Sequence, residues 1–250
     1  MLQSVVDSIP VRAQYPELKD ARVLITGLST QSGVDIARAF ADQGARLVLQ
    51  LQEENAESEC LLEVLARSAA ELKVYSSALD GNDDAVRFAQ KAVQAYGGLE
   101  IVVNLLSVPA HAFTAEPTVQ EIEDIVSARL GPACMITRIA ANRMRVTWTE
   151  GLVLNVLAAG TAVCRSDLAL GSFARAALAA MTRSEAQSWA GEAVRINAIG
   201  PRDQIASGGA GQCLRSEPEI AALALFLASK RGRTLSGHVF DASHVPDGRC

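Results

Sequence analysis

Short apolar runs recur along the chain, separated by stretches in which apolar positions return every three or four residues. Val23-Leu24-Ile25 predicts a first strand, closed by Thr26-Gly27. Val34, Ile36, Ala37 and Phe40 then share one face of a helix that Gly44 stops. Residues 47–51 form a second strand, 56–70 a helix, and a third strand starts at Val74-Tyr75 and runs to Asp80. A helix over 83–96 ends at Gly97-Gly98, and a fourth strand covers 101–106. Two helices are expected next, over 118–129 and 132–145, divided at Gly131-Pro132. A strand over 152–157, a long helix over 172–190, a strand at 194–196, a helix over 217–229 and a short strand at 238–240 complete the series. The strands are continuous apolar runs, which marks a parallel sheet covered on both faces. Regular alternation of strand and helix gives an α/β fold, a doubly wound sheet of about seven strands in one domain. Residues 1–20 carry Pro10 and Pro16 and read as an extension on the surface; the domain proper is 21–250.

Composition narrows the function. The chain has 250 residues, 49% of them apolar, and a net charge of −5. The acidic balance argues against nucleic acid, which calls for a basic face. The uncharged stretch 151–164 contains Asn155 and falls short of the roughly 18–20 apolar residues of a membrane span. Asp7 and Pro10 interrupt any leader-like pattern. The cysteines at 60, 134, 164, 213 and 250 are scattered and odd in number. They suit reduced thiols in a cytoplasmic protein, and they offer no metal-ligand spacing.

The first strand-to-helix turn, Thr26-Gly27-Leu28-Ser29-Thr30-Gln31-Ser32-Gly33, resembles the TGxxxGxG turn of the short-chain dehydrogenase/reductase family. Asp80 after the third strand matches the family's adenine-contacting Asp, and Asn104 stands at the family's NNAG. FARAALAAMTRSE at 173–185 and RINAIGP at 195–201 resemble two later landmarks in the expected order. The resemblance covers about 21–241 and implies a Rossmann-type fold, a nicotinamide dinucleotide and carbonyl–alcohol chemistry.

The family's chemistry uses a Tyr acid/base, a Lys that lowers its pKa, a Ser that holds the substrate oxygen and an Asn that supports a relay water. Aligned on the long helix, these positions are Gly171, Arg175, Ala158 and Ala128 respectively. Glycine can neither donate nor accept a side-chain proton, and alanine offers no hydrogen bond to an alkoxide. The tyrosines are Tyr15, Tyr75 and Tyr96, and the only lysine after Lys91 is Lys230, so no Tyr-x-x-x-Lys exists in the catalytic half. Tyr15 and Lys19 have that spacing, but they precede the first strand and flank Pro16.

The cofactor positions are altered as well. Gln31 replaces the middle glycine, where the backbone must approach pyrophosphate, and Leu51 stands for the ribose-binding acid. Leu105, Leu106 and Ser107 replace Asn-Ala-Gly. Gly27, Gly33, Asp80 and Asn104 remain as vestiges, with an architectural reading of the glycines and a capping one of Asp80. His111, His238, His244, Glu53-Glu54 and Cys164 read as surface or structural groups. Halohydrin dehalogenases resemble the family and use Ser, Tyr and Arg without nicotinamide; of these only Arg175 is matched.

From Phe173 to Met181 only Arg175 is polar, so the long helix is expected to bury its outer face too, with Ala174, Ala177 and Ala180 permitting close approach. The family buries that face against another subunit. These readings lead to a non-catalytic pseudoenzyme subunit of a hetero-oligomeric NAD(P)-dependent dehydrogenase. It would bind no cofactor, catalyse nothing itself, and pair through helices 132–145 and 172–190 with an active paralogue that carries NAD(P). The family includes such an active–inactive pairing on a hydroxyacyl-CoA in anaerobic toluene breakdown. Two other readings stay open: a nucleotide- or metabolite-sensing homodimer, and a nicotinamide-independent lyase of halohydrin-dehalogenase type.

Overall fold

The computed structural model describes residues 15–79, 81–109, 112–113, 116–159, 164–202, 214 and 216–242. Seven strands alternate with six helices: β1 Arg22–Leu28, α1 Val34–Asp42, β2 Arg46–Leu51, α2 Ala56–Ser68, β3 Glu71–Tyr75, α3 Asn82–Ala92, β4 Ile101–Val108, α4 Val119–Val146, β5 Gly151–Ala159, α5 Arg165–Ser188, β6 Val194–Pro201, α6 Glu217–Ala228 and β7 Val239–Ala242. The strands form one parallel sheet in the order β3-β2-β1-β4-β5-β6-β7. Strand order reverses between β1 and β4, so the binding crevice of this fold opens at their carboxyl ends. Helix α1 packs with α2 and α6, and α4 lies between α3 and α5.

The fold is the doubly wound sheet expected, with β1 running on to Leu28, β6 running on to Pro201 and α3 stopping at Ala92, and with four further local differences. Strand β3 ends at Tyr75 where the sequence suggested a beginning near it. It is an edge strand whose Glu71 and Lys73 are exposed, so it lacks the apolar run of a central strand. The two helices expected at 118–129 and 132–145 are one helix, α4, with Pro132 inside. Gly131 explains the tolerance in part: a Cβ there would stand 2.6 Å from Asn82 Oδ1, so its absence lets α3 approach. Pro132 forfeits one ladder bond, which the burial of the helix offsets. Helix α5 starts at Arg165, not 172, because Cys164 and Asp167 form a capping box ahead of the apolar stretch. Finally, the part of the expected surface extension that is described enters the core. A 3₁₀ turn over Pro16–Leu18 leaves Leu18 only 2% exposed. Residues 1–14 lie outside the described residues.

Candidate functional site at the carboxyl ends of β1, β4 and β5

The turn after β1 is shaped by two glycines in left-handed conformation. Gly27 has φ +75°, and a Cβ on it would meet the Leu105 carbonyl oxygen at 2.3 Å. Gly33 has φ +85° and precedes α1; its Cβ would overlap Leu105 Cδ1 at 2.0 Å. Both positions require glycine, and the reason is close packing on β4. The same contacts show where Leu105 goes. Its side chain lies against Gly33 and Leu28 and is 7% exposed, filling the space between β4 and the start of α1.

The backbone donors of the turn are engaged within the chain. Gly27 N donates to Gln50 Oε1 at 2.7 Å. Gln50 Nε2 donates to the carbonyls of Leu51 and Ser77, so one buried carboxamide ties β1, β2 and the segment after β3 together. Ser29 Oγ accepts from the amides of Gln31 and Ser32. Beyond the turn, Asp35 N donates to Glu217 Oε1 at 2.9 Å. Burial pushes the Glu217 carboxyl above the usual range, against the hydrogen bond from Asp35 N that pulls it down.

Two expected blocking residues sit elsewhere. Leu51 is 2% exposed and belongs to the core. Strand alternation points its neighbours Gln50 and Gln52 at the crevice instead. The Gln31 side chain is exposed, so the bulk at the turn is supplied by Leu105. Asn104 is wholly buried: its Oδ1 accepts from Thr26 Oγ1 at 3.0 Å, and its Nδ2 donates to Asn155 Oδ1 at 2.8 Å and Thr137 Oγ1 at 3.4 Å. It stitches β1, β4, β5 and α4 together and faces no ligand space. Asp80, His111 and His244 lie outside the described residues.

The four catalytic positions come to the same end of the sheet but bring no acid/base pair. Ala158 closes β5 opposite Ser107 of β4. Gly171 lies in α5, and a Cβ there would meet nothing within 4 Å. Ala128 is exposed on α4. Arg175 is turned to structure: Nη1 donates to the Pro201 carbonyl at 2.6 Å and Nη2 pairs with Asp241 Oδ1 at 2.5 Å. Tyr15 is at the opposite end of the sheet, its amide bound to Gln43 Oε1 and its ring near Arg231. Cys164 is exposed at the start of α5. His238 stands beside Phe240, and Glu53 and Glu54 are exposed just ahead of the Asn55 cap of α2.

Among the described residues, a cleft of about 250 Å³ at the crevice is lined by Gln50, Gln52, Leu105, Ser107, Ala128 and Arg129 among others. A cleft of about 1140 Å³ opens at the opposite, amino ends of the strands, beside Trp148, Arg195 and Arg233. It is larger, but this fold places its chemistry at the carboxyl ends. Among the described residues no group of His, Cys, Asp and Glu could hold a metal ion, and no helix is long and apolar enough to cross a membrane.

Residues 21–203 match the family model for short chain dehydrogenase. The chain belongs to the short-chain dehydrogenase family. It is 28% identical over 243 residues to a galactitol 2-dehydrogenase (L-tagatose-forming) of Cereibacter sphaeroides, covering 89% of this chain and 93% of that one. It is 26% identical over 187 residues to a gluconate 5-dehydrogenase of Gluconobacter oxydans, covering 74% and 71%. Among solved structures, a short-chain dehydrogenase/reductase from Serratia marcescens superposes with a TM-score of 0.75 at 15% identity, over 92% of this chain and 98% of that one.

A short-chain dehydrogenase seats its dinucleotide's pyrophosphate at the turn before α1. Leu105 occupies the approach to Gly33, and the amides of Gly27, Gln31, Ser32 and Asp35 already have acceptors from Gln50, Ser29 and Glu217. Sequence reasoning missed these three acceptors. Gln50 could have been found as the polar residue inside the apolar run Leu47–Leu51. Glu217 left no comparable signal, since a carboxylate in a first helical turn is ordinary.

Proposed function

We propose that this chain is a non-catalytic member of the short-chain dehydrogenase family that serves as the partner subunit of an active, NAD(P)-bearing paralogue. The observation that carries the reading is the set of side chains at the four catalytic positions: Ala128, Ala158, Gly171 and an Arg175 committed to Asp241. None can pass a proton to a carbonyl oxygen, and the filled turn speaks against a dinucleotide here. The assembly half of the reading draws on α5. Its exposed side carries Leu168, Phe173, Ala176 and Ala180, an apolar stripe with small residues for close helix approach. Ala174 is buried and Ala177 packs on the core, so of the three alanines expected at the contact Ala180 is the exposed one, and Ala176 joins it.

The test has two parts. The purified chain should neither turn over alcohols or ketones with NAD(P)⁺ or NAD(P)H nor bind NADH in calorimetry. Pulled from its native host, it should bring down a family member with Ser, Tyr and Lys in place, and Ala180→Glu should abolish that pairing. Micromolar NADH binding, or pairing that survives Ala180→Glu, would overturn the reading. The 250 Å³ cleft beside Gln50, Gln52 and Arg129 favours one alternative, a homodimer that senses a small polar metabolite. A homodimer isolated without any such partner would favour that alternative.

A further inference from the structure

We infer that the cleft at the amino ends of the strands binds a small aromatic anion, a planar ring bearing an acidic group, with Trp148 as the platform for the ring and Arg183 and Arg195 as partners of the acid. The cleft measures about 1140 Å³, and these three residues line it together. Trp148 leads into β5, whose Leu152 lies opposite Arg195 at the start of β6, and Arg183 sits in the last turns of α5, which packs on β6. Trp148 is unfavourable in two ways on its own. It is 95% exposed, which leaves a large apolar ring in water. It also follows the C-cap of α4 in left-handed conformation, with φ 53°, where glycine is usual. Its amide and that of Thr149 donate to the Arg145 and Met144 carbonyls, so the turn needs the backbone conformation and not the indole. A strained, exposed aromatic residue on a cleft wall is of use to a ring that stacks on it. The charges agree. Arg22 pairs with Glu100 and Arg233 with Glu150, and Glu17 accepts from the Lys230 amide. Among the described residues Arg183 and Arg195 have main-chain partners alone: Arg183 Nε donates to the Ala179 carbonyl at 3.2 Å, and Arg195 Nη1 to those of Leu227 at 2.8 Å and Gly232 at 2.9 Å. These carbonyls fix Arg195 in place and leave its charge without a carboxylate. Burial, and then the charge of Arg233, hold its guanidinium below the usual range, and Glu150 offsets part of this. The lining carries two positive charges in excess, in a chain of net charge −5. An anionic group brought to the two arginines restores the balance. The cleft lies at the end of the sheet away from the crevice, so the inference is independent of whether the chain pairs with an active subunit.

The test uses terephthalate as probe, a benzene ring with two carboxylates, titrated into the full chain and followed by calorimetry and by the indole N–H signals in two-dimensional NMR. The chain has two tryptophans, Trp148 and Trp189, and Trp148→Phe assigns their signals. Terephthalate should bind saturably and move the Trp148 signal more than that of Trp189. The trans-cyclohexane diacid, with the same charge and no π face, should bind about tenfold more weakly. Trp148→Gly should lose about tenfold in affinity for terephthalate, yet melt at the wild-type temperature or about 2–4 °C higher, because it relieves the left-handed strain. Arg183→Gln, at an exposed position, should weaken binding about threefold and flatten its salt dependence. Absence of saturable binding, equal affinity for the cyclohexane diacid, or unchanged affinity in Trp148→Gly overturns the inference. Loss of stability in Trp148→Gly overturns it too, since the fold would then be the user of the indole. No readout depends on dehydrogenase activity or on a partner, so failure here is distinct from failure of the subunit reading.

Discussion

Thr182 of α5 is wholly buried, yet among the described residues its Oγ1 has no hydrogen-bond partner, and Asn155 Nδ2 is buried without one as well. Burying a hydroxyl unpaired is unfavourable by about 1–3 kcal/mol. Thr182→Val keeps the shape and removes that cost, so it should leave stability unchanged or raise it by about 1 kcal/mol in urea unfolding. Asn104→Ala runs the other way. It strands Thr26 Oγ1 and Asn155 Oδ1 in the sheet interior and should lower stability by roughly 2–3 kcal/mol. A valine variant that loses more than the alanine variant would contradict this account. At this scale the glycines were legible from sequence, because a turn that needs positive φ admits little else. The destinations of Leu51 and Gln50 were not. One residue of strand register decides which of the two faces the crevice, and sequence alone placed the wrong one there.

Helices α4 and α5 are joined by an asymmetric ion pair. Arg138 Nε donates to Glu185 Oε1 at 2.7 Å; the Glu185 side chain is 6% exposed, while that of Arg138 is 56% exposed. Trp189 Nε1 also donates to Glu185, at 3.1 Å. The two ends are not equivalent to mutation. Arg138→Met leaves a buried carboxylate with the Trp189 indole as its donor, whereas Glu185→Gln leaves a guanidinium that water can reach. Arg138→Met should therefore be the more damaging, by about 2–3 kcal/mol against about 1 kcal/mol. Equal losses in paired denaturation curves would show that the pair is held by solvent and not by burial. Element boundaries were legible where an apolar stretch met glycine, as where α1 stops before Gly44. They were hidden where other forces set them. Gly131-Pro132 reads as a break, but packing carries α4 through it. The start of α5 depends on a capping box at Cys164 and Asp167 that precedes any apolar periodicity.

For the molecule as a whole, the doubly wound parallel sheet was legible in the alternation of strand and helix, and the lack of a Tyr-x-x-x-Lys after residue 96 was legible in where tyrosine and lysine occur in the chain. The contacts that pack the turn after β1 were not legible, because they join residues far apart in sequence: Leu105 on Gly33, Gln50 on Gly27, Glu217 on Asp35. Rebuilding the chemistry should accordingly fail when done in isolation. Gly171 has room for a side chain, so Ala158→Ser, Gly171→Tyr and Arg175→Lys can be combined. We expect the triple variant to fold and to show no NAD(P)-linked rate above background in a spectrophotometric assay. A measurable rate from the triple variant alone would mean that the turn accepts a dinucleotide despite Leu105.

The packing of Leu105 also has a meaning in evolutionary time. A lineage that lost only its tyrosine could regain activity by one substitution. Here a restored tyrosine would still face a turn sealed by a leucine that the core now uses. Removing that leucine alone leaves a cavity costing about 2–5 kcal/mol and offers no catalysis in return. On the non-catalytic reading proposed above, each single step back is neutral or harmful, so the contact between Leu105 and Gly33 would act as a ratchet, holding the chain to its later role.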